Sequence, residues 1–144
     1  MADTGINAIE KALRSALNTA GLIALVPQAR HWNMLVPPAS AFPAVVFSMQ
    51  DNDATGRAFG QDAMAFDYLV KGIAKGGASG GDAVETAGDI AQQIDLALHN
   101  TTMTPTGYTK AYKVQRQRWV RYTEYDEGRV PYVHSGAIYR VWVY

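Results

Sequence analysis

A run of glycines, Lys75-Gly-Gly-Ala-Ser-Gly-Gly81, separates a strand-like segment, Met64 to Ala74, from an amphipathic segment that begins at Asp82. Strand, glycines and helix in that order can hold a phosphate. Backbone N–H groups at the helix start point at the anion, and the helix dipole favours negative charge there. A lysine and a hydroxyl directly after the last glycine must complete the chemistry by reaching the outer phosphates and the magnesium ion. Gly76 and Gly81 have the required separation, but Asp82 and Ala83 follow them. The aspartate sets a negative charge where the phosphate would sit. A dinucleotide fingerprint fails too, because the segment has no Gly-x-Gly pair. Asp82 as an N-cap, with Glu85 three residues on, reads instead as a capping box. The block is expected to be scaffold, with no nucleotide and no other cofactor.

The remaining candidates for chemistry are as weak. His31, His99 and His134 lie in separate segments, and there is no cysteine. A zinc site needs at least three converging ligands, which neither this spacing nor any thiol supplies. Asp51-Asn-Asp53 resembles the start of a calcium loop, but Asp62 stands twelfth where a glutamate is needed, and no helix clearly enters. Ser48, Ser79 and Ser135 sit in separate segments, and no set of serine, base and acid is recognisable from their spacing. Glu124 and Asp126 sit at a hairpin end, where solvated carboxylates are common. No catalytic, cofactor-binding or metal-binding residue is assigned, and no enzyme is expected.

One segment is unusual: Lys110-Ala-Tyr-Lys-Val-Gln-Arg-Gln-Arg-Trp-Val-Arg-Tyr122 interleaves bases with aromatics. A platform for single-stranded nucleic acid uses such residues. Strand alternation, however, puts Arg116 and Arg118 on one face with Val120 and Tyr122, and Arg121 on the other with Trp119. Both faces are then polar and aromatic, which suits a sheet packed by its own helices on one side and by another subunit on the other. Tyr, Trp and Arg are enriched at interface centres. A protein interface is favoured over nucleic acid, with a plain solvated strand as a third reading.

These segments must be carried by a chain of 144 residues with no net charge, a length suited to one domain spanning 1–144. Zero cysteines exclude disulfides and thiolate sites together and leave the redox compartment open. The N-terminal residues lack the basic and apolar regions of a signal peptide, and no apolar run is long enough to span a bilayer, so a cytoplasmic site of synthesis and no membrane partner are expected. Neutrality conceals a gradient. Residues 1–105 hold six bases against ten acids, a balance of −4, and residues 106–144 hold seven against three, a balance of +4. Such asymmetry suits copies of one chain meeting head to tail.

Ile6, Ile9, Leu13 and Leu17 recur at helical spacing, with Asp3 or Thr4 placed to cap and Gly21 to break the helix. Leu22 to Val26 reads as a short piece stopped by Pro27, and Ala29 to Leu35 as an edge strand. Pro37, Pro38 and Pro43 frame an irregular connection. Ala44 to Met49 is a strand, and Asp51 to Asp62 an exposed hairpin tip or mobile loop. In the next strand Met64, Phe66, Tyr68 and Val70 share one face against Asp67 and Lys71. The helix from Asp82 to about His99-Asn100 is expected to bury Val84, Ala87, Ile90 or Ala91, Ile94 and Leu98. Its four large aliphatics would contribute on the order of 6–12 kcal/mol before entropy. Tyr108 to Tyr125 is one bent strand or two, Asp126-Glu-Gly-Arg129 its turn, and Val133 to Tyr144 the returning strand. The fold class is α+β: a mostly antiparallel sheet with two main helices packed on one face.

The order and texture of these elements resemble the small tail-completion proteins of tailed bacteriophages, the tail terminators of long-tailed phages and of related prophage or gene-transfer particles. The likeness is carried by the helix Ile6 to Leu17, the Leu22 to Val26 piece, Phe42-Pro-Ala-Val-Val-Phe47, the strand with Gly72-Ile-Ala-Lys75, the helix Asp82 to Leu98 and the closing basic, aromatic hairpin. It covers nearly the whole chain and has no invariant catalytic motif. The resemblance implies a structural role in the virion: a ring, usually of six copies, at the head-proximal end of the tail tube. The ring stops tube polymerisation and offers a face to a head-side connector or neck protein. The implied partners are other copies of the chain, the tail-tube protein and that connector. DNA passes only transiently through the lumen. A neck protein is the alternative, and a nucleic-acid-binding module a more distant one. Such proteins carry no active-site residues to transfer, so the site residues are inter-subunit or partner contacts: Lys113, Arg116, Arg118, Trp119, Arg121 and Tyr122 in the weave, and Asp51, Asp53 and Arg57 in the polar loop.

Overall fold

The computed structural model describes residues 6–37, 40–56, 63–76, 81–104 and 112–143. Helices α1 (Ile6–Ala16) and α2 (Ala20–Leu25) lead through a 3-10 turn at Gln28–Arg30 into β1 (His31–Asn33). Then come β2 (Ala44–Gly56), β3 (Ala63–Lys75), α3 (Gly81–Leu98), β4 (Thr102–Met103), β5 (Tyr112–Tyr125) and β6 (Pro131–Val143). The strands form one mixed sheet in the order β1-β2-β3-β6-β5-β4. Every pairing is antiparallel except β1 on β2, which confirms the α+β class with β1 as the predicted edge strand.

The helices cover one face of the sheet. Strand alternation places Val45 and Phe47 of β2, Phe66, Tyr68 and Val70 of β3, and Ala137, Tyr139 and Val141 of β6 on that face. All are buried in one core with Ile9, Leu13, Leu17, Leu22, Ile90, Ile94 and Leu98 of the helices. Two glycines stand where a side chain would not fit, one under α3 and one against the neighbouring strand β3. A Cβ on Gly72 would lie 2.3 Å from Cγ2 of Ile90 in α3, and one on Gly136 would lie 2.1 Å from the Val70 carbonyl oxygen. The opposite face is partly covered where the ring of Phe42, before β2, meets Tyr132 edge-on at 5.1 Å.

Several expectations are corrected. Gly21 does not break the first helix: α1 ends at Ala16, and Thr19 opens α2 by accepting the Leu22 N–H at 3.3 Å. A threonine cap outweighs the cost of a glycine inside so short a helix. Asp82 is a residue of the first turn of α3 rather than its cap, where its charge still favours the helix dipole. Val84 is 43% exposed, because the first turn of α3 packs on the sheet through Ala83 and Ala87 and leaves Val84 facing a groove. Residues 51–56 continue β2 rather than opening a loop, through register shifts after Met49 and after Asp53. Strand β4 has no counterpart among the expected elements. The end of α3 is as expected, with Asn100 in the left-handed conformation (φ 61°) and the Thr101 hydroxyl donating to the Leu98 carbonyl at 2.7 Å. The glycine loop at 77–80, the proposed caps Asp3 and Thr4, and Arg57 lie outside the described residues.

Candidate interface surface

The basic, aromatic weave is the strand β5, and a bulge at Gln117 organises it. Arg116 pairs with Tyr139 and Arg118 with Ile138, so Gln117 is passed over. One extra residue reverses the alternation. Arg116 therefore joins Trp119 and Arg121 on the helix-covered face. Lys113, Arg118, Val120 and Tyr122 lie on the other. The expected grouping of Arg116 with Arg118 is corrected for this reason.

The helical side of the bulge is tied to α3. The Arg116 N–H donates to His99 Nδ1 at 3.0 Å, and its guanidinium donates to Asp95 Oδ2 at 2.6 Å. The other oxygen of Asp95 accepts from the Tyr139 hydroxyl at 3.0 Å. Burial, together with this carboxylate, pushes the Tyr139 phenol well above its ordinary pKa, so it keeps the proton that it donates to Asp95. Arg116 also lies 4.5 Å over the ring of Trp119. Both ends of the pair are shielded, with 29% and 18% of the side chains exposed, which makes it stronger than a solvated surface pair.

Beyond that anchor the helices no longer cover β5. A groove of about 710 Å³ opens between α3 and the β5–β6 ribbon, lined by Val84, Gly88, Trp119, Arg121 and Ser135 among others. Trp119 is 54% exposed and Tyr125 69%. Arg121 reaches across the groove floor to donate to the Ser135 hydroxyl at 3.4 Å. Two exposed aromatics and an arginine thus stand near a helix end that lines the groove with Val84 together with Glu85 and Asp89.

On the other face Tyr122 stacks on His134, with centroids 4.4 Å apart and an interplanar angle of 12°. The Lys71 ammonium donates to the Tyr122 hydroxyl and sits 4.9 Å from the ring centroid. His134 Nε2 lies 3.4 Å from the Glu124 carboxylate. Burial, then the Lys71 charge, hold the His134 pKa below 6.5, against the pull of Glu124. Arg140 donates through Nε and Nη2 to both oxygens of Asp67, at 2.8 and 3.1 Å. These groups pair with one another across β3, β6 and β5, while Nδ1 of His134 is buried without a partner. Among the described residues no group of three or more metal-ligating side chains converges, and no helix is long and apolar enough to cross a membrane.

The predicted site residues are thus distributed over both faces of β5. The Asp51 and Asp53 positions belong to β2, at the opposite edge of the sheet, with β3 and β6 between. One chain does not bring the Asp51 and Asp53 positions of β2 together with the bases of β5. Asp95, Tyr139, Lys71 and His134 went unrecognised as supports of the surface. Asp95 was discoverable, being a polar residue one place from buried Ile94 on the helix expected to pack the sheet.

No family model matches the chain, and no curated protein does. Among solved structures it shares its fold with a chain of the virion of a native gene transfer agent particle: TM-score 0.65, 18% sequence identity, 95% of each chain covered.

Proposed function

We propose that the chain is a structural virion protein, a tail terminator whose copies close a ring on the head-proximal end of a tail tube, stop its growth and present a face to the head-side connector. One observation carries this reading: the fold coincides, over 95% of both chains, with that of a component of a gene transfer agent virion. Three features support it. The exposed Trp119, Tyr125 and Arg121 beside a groove suit a protein partner. The titratable clusters are closed on themselves rather than aimed at a substrate. Opposite charge at opposite edges suits a heterologous contact, which closes into a ring when the rotation allows. Lys113, Arg116, Arg118, Trp119, Arg121 and Tyr122 then belong to one contact surface, and Asp51, Asp53 and Arg57 to the complementary one. A ring of six is the expected stoichiometry. The test is a tube-growth assay: added protein should cap purified tail-tube polymers and arrest their length, whereas tubes that lengthen unchanged in its presence contradict the proposal.

A further inference from the structure

The sheet has two open edges, and they lie diagonally opposite. At one side, β1 covers β2 only at Val45–Phe47, and the Met34 N–H donates to the Phe47 carbonyl at 2.9 Å. Beyond Phe47, residues 48–56 have no strand neighbour on that side among the described residues. At the other side, β4 pairs only with Tyr112 and Lys113. Backbone bonds then join Val114 to Asn100 and Thr101, and His99 takes the Arg116 N–H. From Arg118 to Tyr125 the outer edge of β5 has no strand partner among the described residues. Antiparallel alternation, carried through the bulge, points the N–H and C=O of Trp119, Arg121 and Thr123 outward.

Resting on the reading of the chain as a ring subunit, we infer that successive copies join by antiparallel strand pairing, the 118–125 edge of β5 in one copy adding to the 48–56 edge of β2 in the next. The directions agree. Strand β2 is antiparallel to β3, β3 to β6 and β6 to β5, so a β2 set beside the outer edge of β5 in a continuous sheet runs opposite to it. The charges agree as well. Residues 118–125 carry two arginines against one acid, and residues 48–56 carry two aspartates and no base. Exposed large apolar residues follow the same edges: within strands they are Met49, Trp119 and Tyr125, with Met34 and Leu35 directly after β1, while β3 and β6 contribute none among the described residues. One opening lies where β6 begins and the other where β6 ends, so each added copy is displaced along the strand direction. That stagger is what a closed sheet requires, since closure needs shear and strand tilt. Each open edge, a liability in a monomer, is covered by the next copy.

Two variant sets test this. Asp51→Lys/Asp53→Lys makes both edges basic, and Arg118→Glu/Arg121→Glu makes both acidic. Native mass spectrometry, with tube protein added, should show neither variant closing rings alone, while an equimolar mixture restores rings containing equal numbers of each. Thr123→Pro removes one outward donor and spares the inner ladder; it should yield folded monomers by circular dichroism. Rings from either charge variant alone, or wild-type ring yield from folded Thr123→Pro, overturn the inference. If Thr123→Pro does not fold, the charge swap decides. Rings that obey the swap but never cap tubes would leave the pairing standing and remove the terminator reading. Tubes capped equally by all variants would do the reverse.

Discussion

Arg116 and Arg118 project to opposite faces of the sheet with a single residue between them. Arg116 is held against Asp95 of α3 and stacks on Trp119, while Arg118 faces away from the helices and into solvent. The bulge at Gln117 gives one strand three uses. Its first half packs under α3, its second half offers aromatic and basic side chains on both faces, and its outer edge is left without a strand. A strand without the bulge would direct Trp119 and Arg121 away from the groove they line.

Asp95 is the residue on which this arrangement depends, because it accepts from both Arg116 and Tyr139. Asp95→Ala leaves a half-buried guanidinium and a buried phenol without their acceptor. The expected loss is about 1–3 kcal/mol, read as a lower urea midpoint at unchanged slope. Tyr139→Phe, which removes one bond and leaves the carboxylate paired, should cost about 0.5–1.5 kcal/mol. A midpoint for Asp95→Ala equal to wild type would show that the network does not stabilise the fold.

The glycines divide by what stands opposite them. At Gly72 the obstacle is branched Ile90, 2.3 Å from the new Cβ, and Gly72→Ala should cost about 1–3 kcal/mol through overpacking. At Gly21 the nearest atom is the end of the Gln93 side chain, 2.2 Å away, which can swing aside. Gly21→Ala should therefore be neutral or gain up to about 1 kcal/mol of helix propensity. Thermal unfolding of the two variants checks the contrast, and equal shifts would contradict it.

Two histidines make stability depend on pH. Burial, as the first cause, holds both His31 and His134 below the ordinary 6.5. His31 donates from Nε2 to the Val26 carbonyl at 3.0 Å, and Nδ1 of each ring is buried without a partner. The unfolded chain therefore binds protons that the folded chain refuses, so stability is complete above pH 6.5 and falls as pH drops below it. Between pH 7 and 5 the melting temperature should decline, and His31→Gln/His134→Gln should flatten that decline. An unchanged slope in the double variant would rule out these residues as its source.

Trp119 should matter to assembly and not to folding. It is more than half exposed, with the Arg116 guanidinium over its ring. Trp119→Ala should shift unfolding by no more than about 0.5 kcal/mol while abolishing ring formation in native mass spectrometry. A folded variant that still assembles as wild type would remove Trp119 from the contact surface.

Sequence patterning made the layers legible. The period-two run ending at Val70, the heptad-like spacing of Ile90, Ile94 and Leu98, and the Asp126–Arg129 turn all appear where expected, because local burial alone dictates them. What was not legible depends on registers that no local pattern encodes. The bulges at Gln117 and after Met49 each reverse a face, which separates Arg116 from Arg118 and shifts residues 51–56 against β3. The polar composition of Asp51-Asn-Asp53 concealed an edge strand, whose exposed ladder tolerates polar residues that a central strand would not. The pairing of Asp95 with Arg116 and Tyr139 spans 21 and 44 residues, beyond any motif.

The central claim is that copies of this chain form a ring on one end of a tail tube. The most direct measurement is electron microscopy of tail-tube polymers incubated with the purified protein. A closed ring is expected at one end of each tube, built by contacts between the β5 and β2 edges, with no further growth from that end. Tubes with bare ends that continue to lengthen at saturating protein would contradict it.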